Sequence, residues 1–186
     1  AKDIADPYIE AIKKSGLRIK ALELESQALA RSVIPNEYPA TALIVDFGTT
    51  SIGFSIVANG IIEFTSTIRL GGRDLEKAIM NDLKVSGDEA KRLKIEVGMD
   101  RSKEHGSVYE ALKPNIDNAL QQIQDYISYF SDHGGKRGGE ETKTIEKIFL
   151  SGGDSNLVGF SSYLSLKLKI PAEIANPLVN IIAKDS

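Results

Sequence analysis

The stretch Leu43-Ile44-Val45-Asp46-Phe47-Gly48-Thr49-Thr50-Ser51-Ile52-Gly53 decides how the rest of the chain is read. It begins as an apolar run rich in β-branched residues, the pattern of a buried strand. An acid, Asp46, stands where that strand ends. Gly48 lets the backbone turn tightly. Thr49, Thr50 and Ser51 bring backbone N–H and hydroxyl donors into the same turn. A second β-rich run follows at once. A donor-lined turn facing a carboxylate suits a phosphate chain with a metal ion. Backbone donors at Gly48, Thr49 and Thr50 would each contribute roughly 1.5–3 kcal/mol to an anion. Asp46 opposes them: a carboxylate about 5 Å from a phosphate costs on the order of 3 kcal/mol at an effective dielectric near 20. A cation between the two removes that conflict, and magnesium would sit there largely through its own water. The residues alone equally allow Asp46 to cap the turn through a backbone N–H.

Working outward, Ile52 to Ala58 reads as the next strand. Asn59-Gly60 is a strong hairpin signal, because both positions tolerate positive φ, and Ile61 to Arg69 returns. Residues 41–69 are therefore expected to form a three-stranded antiparallel meander. Leu70-Gly71-Gly72-Arg73-Asp74 is a second glycine turn, with Asp74 expected to cap a helix carrying Leu75, Ala78, Ile79 and Leu83. Ser86 or Asp88 opens a helix over 89–97. Val108 to Phe130 has long helical periodicity, and Pro114 inside it predicts a kink or a fresh start. Ile145 to Leu150 is a strand. Ser151-Gly152-Gly153-Asp154-Ser155 is a third glycine turn, expected to open a helix over 157–168. Ile170 to Ile174 suits an edge strand. Upstream, Asp6-Pro7 suits the first turn of a short helix that stops at Gly16. Leu17, Ile19, Ala21, Leu22 and Leu24 suggest a partly alternating strand, and a helix runs over 26–33.

Composition narrows the function classes. The chain has 186 residues, 41% hydrophobic and 26% charged, as a globular protein does. A net charge of −3 gives no electrostatic case for nucleic acid or an anionic membrane surface. With no cysteine there is no disulfide framework or thiolate metal site, and two histidines in polar or Gly-rich surroundings argue against a histidine site or a Ser-His-Asp triad. No apolar run approaches the roughly 20 residues of a membrane span. The Gly-rich run 134–139 lacks the spacing of a phosphate-binding loop and reads as a solvated loop. The start at Ala1 suggests an excised piece of a longer chain.

Ligands bind outside the strand ends of an open α/β sheet, so at least one of the three glycine turns at strand ends is expected to contact a ligand. Gly152 and Gly153 would let a flat group rest on the backbone, with the following helix aiming its positive end there. Taken alone, these residues are better explained by tight strand-to-helix packing, with Asp154 or Ser155 as an N-cap.

Together these motifs carry a family resemblance. Asp46-Phe47-Gly48-Thr49-Thr50-Ser51 resembles the second phosphate motif of the actin-like ATPase superfamily, and Leu150-Ser151-Gly152-Gly153-Asp154-Ser155 its adenosine motif. Leu70-Gly71-Gly72-Arg73-Asp74-Leu75 looks like the Gly-Gly-Glu-Asp-Phe segment of DnaK-type chaperones. The order of elements is most similar to the PilM family of type IV pilus assembly, including the helix from Ala111-Leu112-Lys113-Pro114 to Tyr129-Phe130 and the continuation Asn156-Leu157-Val158-Gly159-Phe160. The cell-division protein FtsA is a more distant likeness.

The resemblance implies an α/β fold, an actin-like (ribonuclease H-like) lobe in which helices flank the meander. Residues 1–40 would be the C-terminal remainder of the first lobe. Residues 41–186 would be most of the second, with a small helical insertion near 84–107. The superfamily's first phosphate hairpin would lie upstream, and the family's last helix beyond Ile182. The resemblance also implies ATP and Mg2+ as ligands. Asp46 would act on magnesium-bound water, and Gly48, Thr49 and Thr50, with Ser51 beside them, would contact the β- and γ-phosphates. Gly71 and Gly72 would lie near the cleft floor, and Gly152, Gly153 and Asp154 by the adenosine. Relatives carry Ala-Glu-x-hydrophobic-Lys, whose acid and lysine address ribose and base. Here the segment is Ala90-Lys91-Arg92-Leu93-Lys94, so Lys94 matches, but Lys91 stands at the acid's position unless Glu89 replaces it. The implied role is a cytoplasmic scaffold at the inner face of the cell membrane. It would recruit the short cytoplasmic tail of an inner-membrane pilus assembly protein, with self-association open, no direct membrane insertion, and at most slow ATP turnover, since no residue reads as a placed general base. An FtsA-like division anchor and a kinase or chaperone of the same fold are the alternatives.

Overall fold

The computed structural model describes residues 2–133 and 144–181; the Gly-rich run 134–139 lies outside them. Five strands form one mixed sheet in the order β3-β2-β1-β4-β5. These are β1 (Thr41–Phe47), β2 (Ile52–Ala58), β3 (Ile61–Ile68), β4 (Ile145–Ser151) and β5 (Ala172–Ile174). The first three make the expected antiparallel meander. β4 lies parallel to β1 and β5 parallel to β4 at the edge. Asn59 and Gly60 hold φ of 52° and 73° and close the β2–β3 hairpin as their residue types require.

Strand alternation assigns the faces. Leu43, Val45 and Phe47 of β1 point into the larger core, with Ile52, Phe54 and Ile56 of β2 and Ile148 and Leu150 of β4. That face is covered by α3 (Gly72–Leu83), α4 (Gly87–Glu96), α5 (Ser107–His133) and α6 (Phe160–Leu168). Ala42 and Ile44 point the other way, with Val57 and Phe149, against Ala30 and Val33 of α2 (Glu25–Val33). Asp46 continues the Ala42–Ile44 row and so belongs to the α2 face. Asn180 fixes α2 from the far end of the chain. Its amide nitrogen donates to the Arg31 and Ile34 carbonyls at 2.9 and 2.6 Å, and its oxygen accepts from Asn36 N–H at 2.8 Å.

Several expectations are corrected. Residues 17–24 form no strand; Leu17, Leu22 and Leu24 are exposed, with no neighbouring strand to pair with among the described residues. α1 (Lys2–Lys14) starts before Pro7, which sits inside it on an exposed stretch rather than in its first turn. α5 runs unbroken through Pro114, because Pro114 and Glu110, whose carbonyl loses its usual partner there, both lie on the exposed side. Gly71 rather than Asp74 is the N-cap of α3, and Asp74 reaches back from the first turn to accept from Gly71 N–H at 3.1 Å. Ser86 does cap α4, accepting from Glu89 N–H at 3.3 Å. Residues 153–156 make a single 3-10 turn, and α6 begins only at Phe160, after Gly159 in the left-handed region.

α4 belongs to the main core through Ala90 and Leu93, followed by Val97 and Met99. α5 and α6 are tied by Asp117, which accepts from Lys113 Nζ at 2.5 Å and from the Tyr163 hydroxyl.

Candidate nucleotide site

The three glycine turns meet at the end of the sheet, and their glycines are what allow it. The 48–51 turn is closed by Gly48 N–H donating to the Ser51 carbonyl at 3.0 Å. The Gly48 and Thr49 carbonyls in turn accept from the first amides of α3, Gly72 N–H at 3.1 Å and Arg73 N–H at 3.0 Å. A side chain on Gly71 would stand 2.4 Å from the Thr50 nitrogen. A side chain on Gly72 would stand 1.9 Å from Asp154 Oδ2, and one on Gly152 2.4 Å from the Phe47 oxygen and 2.6 Å from Asp46 Oδ1. The second turn is thus packed on the first and against the third, and the third on the strand that carries Asp46.

This packing changes the donor set. Gly48 N–H and the first amides of α3 are spent inside the protein. Thr49 and Thr50 are exposed, and their N–H groups have no partner among the described residues; they are the donors left for an anion. The α6 N-terminus is displaced to Phe160, so its dipole does not start at Asp154 as expected.

Asp46 lines a cleft of about 270 Å³ with Glu25 and Ser26 of α2, Gly53 and Ser55 of β2, and Thr65 and Thr67 of β3. Burial pushes the Asp46 carboxyl above its ordinary 3.8, and the nearby Glu25 charge raises it further. Its anion is therefore poorly stabilised by the protein itself, a condition a bound cation would relieve. No group of three or more His, Cys, Asp or Glu that could hold a metal occurs among the described residues. A cation here would rest on Asp46 with water and ligand oxygens, which fits magnesium's preference. A larger cleft of about 660 Å³, between α2, residues 34–38 and the β2–β3 hairpin, contains none of the candidate residues.

Lys94 is only 7% exposed. Its ammonium lies 2.6 Å from Asp154 Oδ1 and 2.8 Å from Glu76 Oε1 of α3. Burial alone would push the ammonium down, but hydrogen bonds and charge from Asp154 and Glu76 outweigh it and hold Lys94 above its ordinary 10.5. Ser155 is 2% exposed and its hydroxyl donates to the Gly152 carbonyl at 2.7 Å, which closes the third turn from inside. Glu25 and Glu76 were not visible as site residues in the sequence. Glu25 opens a helix and Glu76 lies inside one, and nothing local ties either to the glycine turns.

The family described as "Type IV pilus assembly protein PilM" has a sequence model that matches residues 1–186. This chain belongs to the PilM family. Its fold is that of an actin-like ATPase domain. The solved structure of a PilM-PilN type IV pilus biogenesis complex superposes with a TM-score of 0.69 at 22% identity, over 94% of this chain and 48% of that one. MreB5 of Spiroplasma citri bound to ADP matches with a TM-score of 0.66 at 16% identity, over 94% of this chain and 61% of that one. The cell-division protein FtsA of Buchnera aphidicola subsp. Acyrthosiphon pisum (strain APS) is 23% identical over 178 residues, covering 84% of this chain and 42% of its own length. This PilM-family chain therefore spans about half the length of the relatives it matches. No helix of the described residues is long and apolar enough to cross a membrane.

Proposed function

We propose that this chain forms one wall of the ATP site in an actin-like scaffold protein of type IV pilus assembly. The observation that carries the reading is the convergence of the three glycine turns beside Asp46. Thr49 and Thr50 N–H, with the Thr49, Thr50 and Ser51 hydroxyls, bind the β- and γ-phosphates. Asp46 orients water on a magnesium ion, whose charge offsets the repulsion between carboxylate and phosphate. Gly71 and Gly72 form the floor, and the open backbone at Gly153 receives the nucleoside.

Residues 41–186 act as the second lobe, with the segment near 84–107 as its insertion, and residues 1–40 belong to the first. The exposure of Ile4, Tyr8, Leu17, Leu22 and Leu24 supports that division for residues 1–24, whose apolar side chains have little of this lobe to pack on, whereas α2 packs through Ala30 and Val33 on the sheet of the second lobe. The scaffold works on the cytoplasmic side of the inner membrane and takes the short tail of a membrane-anchored partner. The solved relative is a complex of PilM with PilN, which supports a partner of that kind. The likeness to FtsA supports a second reading, a membrane-associated division protein.

Calorimetric titration of the full-length protein with ATP tests the reading. Binding should require Mg2+, and Asp46→Asn should remove most of that requirement together with most of the affinity. Metal-independent binding, or none at millimolar ATP, would overturn it. Pull-down with a synthetic partner tail against co-sedimentation with vesicles separates the pilus scaffold from the division protein.

A further inference from the structure

The two edges of the sheet are not alike. β5 is three residues long, and its shortness protects it from further pairing. β3 is eight residues long and pairs with β2 alone among the described residues. Alternate backbone N–H and C=O groups along it therefore point away from the sheet. Edge strands of that length are usually blunted by proline, by charge or by a bulge. β3 has no proline, and its one charged residue, Glu63, is the residue left out where the β2–β3 register shifts. From Phe64 to Ile68 the pairing with β2 is regular and the sequence Phe-Thr-Ser-Thr-Ile is uncharged. Thr65 and Thr67 are exposed and Phe64 is half-buried, so this stretch is open.

The open stretch is its own complement. It is flanked by an acid, Glu63, and a base, Arg69, with Ser66 midway between them. Set two β3 strands antiparallel about a two-fold axis at Ser66. Thr65 then stands opposite Thr67 of the second copy, Phe64 opposite Ile68, and Glu63 opposite Arg69, and each pair occurs twice. Paired hydroxyls, an aromatic beside a β-branched residue and opposite charges are the cross-strand pairs that stabilise antiparallel sheets. Moving the axis to Thr65 or Thr67 loses the Glu63–Arg69 pair, so the charges select one register. Glu63 and Arg69 are both exposed, and neither side chain has a hydrogen-bond or ion-pair partner among the described residues. They stand roughly 20 Å apart along an extended chain, so they cannot pair within one copy.

We propose that two copies of this protein pair β3 against β3, antiparallel about Ser66, and join their sheets into one, with a Glu63–Arg69 ion pair at each end fixing the register. The occupant of this edge is thus a second copy of the chain, because the pattern that meets it is the strand's own. A single strand pair is a small interface, so the dimer forms at micromolar rather than nanomolar concentration. Neither the glycine turns nor Asp46 takes part, and the inference is independent of the nucleotide reading.

Sedimentation equilibrium of the full-length protein, from about 5 to about 500 μM, tests the proposal. The wild type should show a monomer–dimer equilibrium. Glu63→Arg alone, or Arg69→Glu alone, sets two like-charge pairs in the interface and should weaken the dimer at least about tenfold. The two changes shift the net charge in opposite directions, so a loss common to both cannot come from overall charge. Carrying both changes restores opposite charges and should return the dimer to within about threefold of wild type. Hydrogen exchange at the Thr65 and Thr67 amides should slow as the dimer forms. A wild type that stays monomeric, a dimer indifferent to either single reversal, or a double variant no better than the singles would overturn the proposal. Protection of those amides only on adding a synthetic partner tail would assign the edge to a peptide strand and overturn it as well.

Discussion

Two Gly-Gly pairs, Gly71-Gly72 and Gly152-Gly153, meet at the end of the sheet, yet their four residues do not share one job. Gly71 and Gly72 have ordinary backbone angles and are glycines because another chain segment occupies the space of a side chain. Gly152 is constrained twice. Its φ of +85° and ψ of 162° lie in a region open essentially to glycine alone, and Phe47 and Asp46 fill the place of a Cβ. Gly153 has no atom within 4 Å of a Cβ built on it. Three of the four therefore build the site, and the fourth leaves it open. A glycine motif mixes positions that protect the fold with positions that admit a ligand, and only the surroundings separate them.

Substitutions can break or sharpen that division. Gly152→Ala has the largest expected effect, about 4 kcal/mol of lost stability, from about 1–3 kcal/mol for the backbone conformation and a similar amount for overpacking. Chemical denaturation measures it, and a near-neutral result would remove the assigned constraint. Lys94→Met should cost about 3 kcal/mol, because it leaves Asp154 and Glu76 largely buried without their counter-charge. A loss of only a few tenths in the same measurement would mean that the acids find other partners.

Asp46→Asn acts in the opposite direction. Its folded carboxyl titrates above its ordinary 3.8, so the folded state binds the proton more tightly than the unfolded state. The stability this lends is present below 3.8 and lost as pH rises through the raised value. At neutral pH the ligand-free Asp46→Asn chain should therefore melt higher than wild type, with the difference shrinking toward pH 3. Melting curves across that range check it; an Asn variant that melts lower at neutral pH would contradict the desolvated carboxylate. The smallest effect on stability belongs to Gly153→Ala, within about 0.5 kcal/mol. It should nevertheless weaken ATP about tenfold, or 1.4 kcal/mol, because the new methyl enters the open space. Gly153→Ala thus separates the ligand-facing glycine from the three that pack.

Much of this architecture was legible because its signals are local. Asn59-Gly60 specifies its own hairpin, and the apolar run 43–45 needs burial on both faces wherever it lies. The segment from Leu17 to Leu24 has nearly as much alternation, but a strand exists only with a partner, and no neighbouring strand is supplied there among the described residues. The helix after Asn156 starts later than its apolar pattern predicts, because Leu157 and Val158 continue that pattern while the left-handed Gly159 sets the true start. At the site, the turns were legible from glycine and acid spacing. Glu25 and Glu76 were not, since each reaches the site through the packing of its helix. The spent donors of Gly48, Gly72 and Arg73 are likewise a property of turn against helix, invisible to either alone.

The central claim is that residues 48–51, 71–72 and 152–154 form one nucleotide site organised on Asp46. Paramagnetic line broadening tests it most directly, because it detects even weak binding and can be read residue by residue in this 186-residue chain. Titrating ATP with substoichiometric Mn2+ in place of Mg2+ should broaden the amide resonances of Thr49, Thr50, Gly72 and Gly153 first. Asp46→Asn should abolish that broadening. Broadening confined to the cleft beside residues 34–38, or none at the three glycine turns, would contradict it.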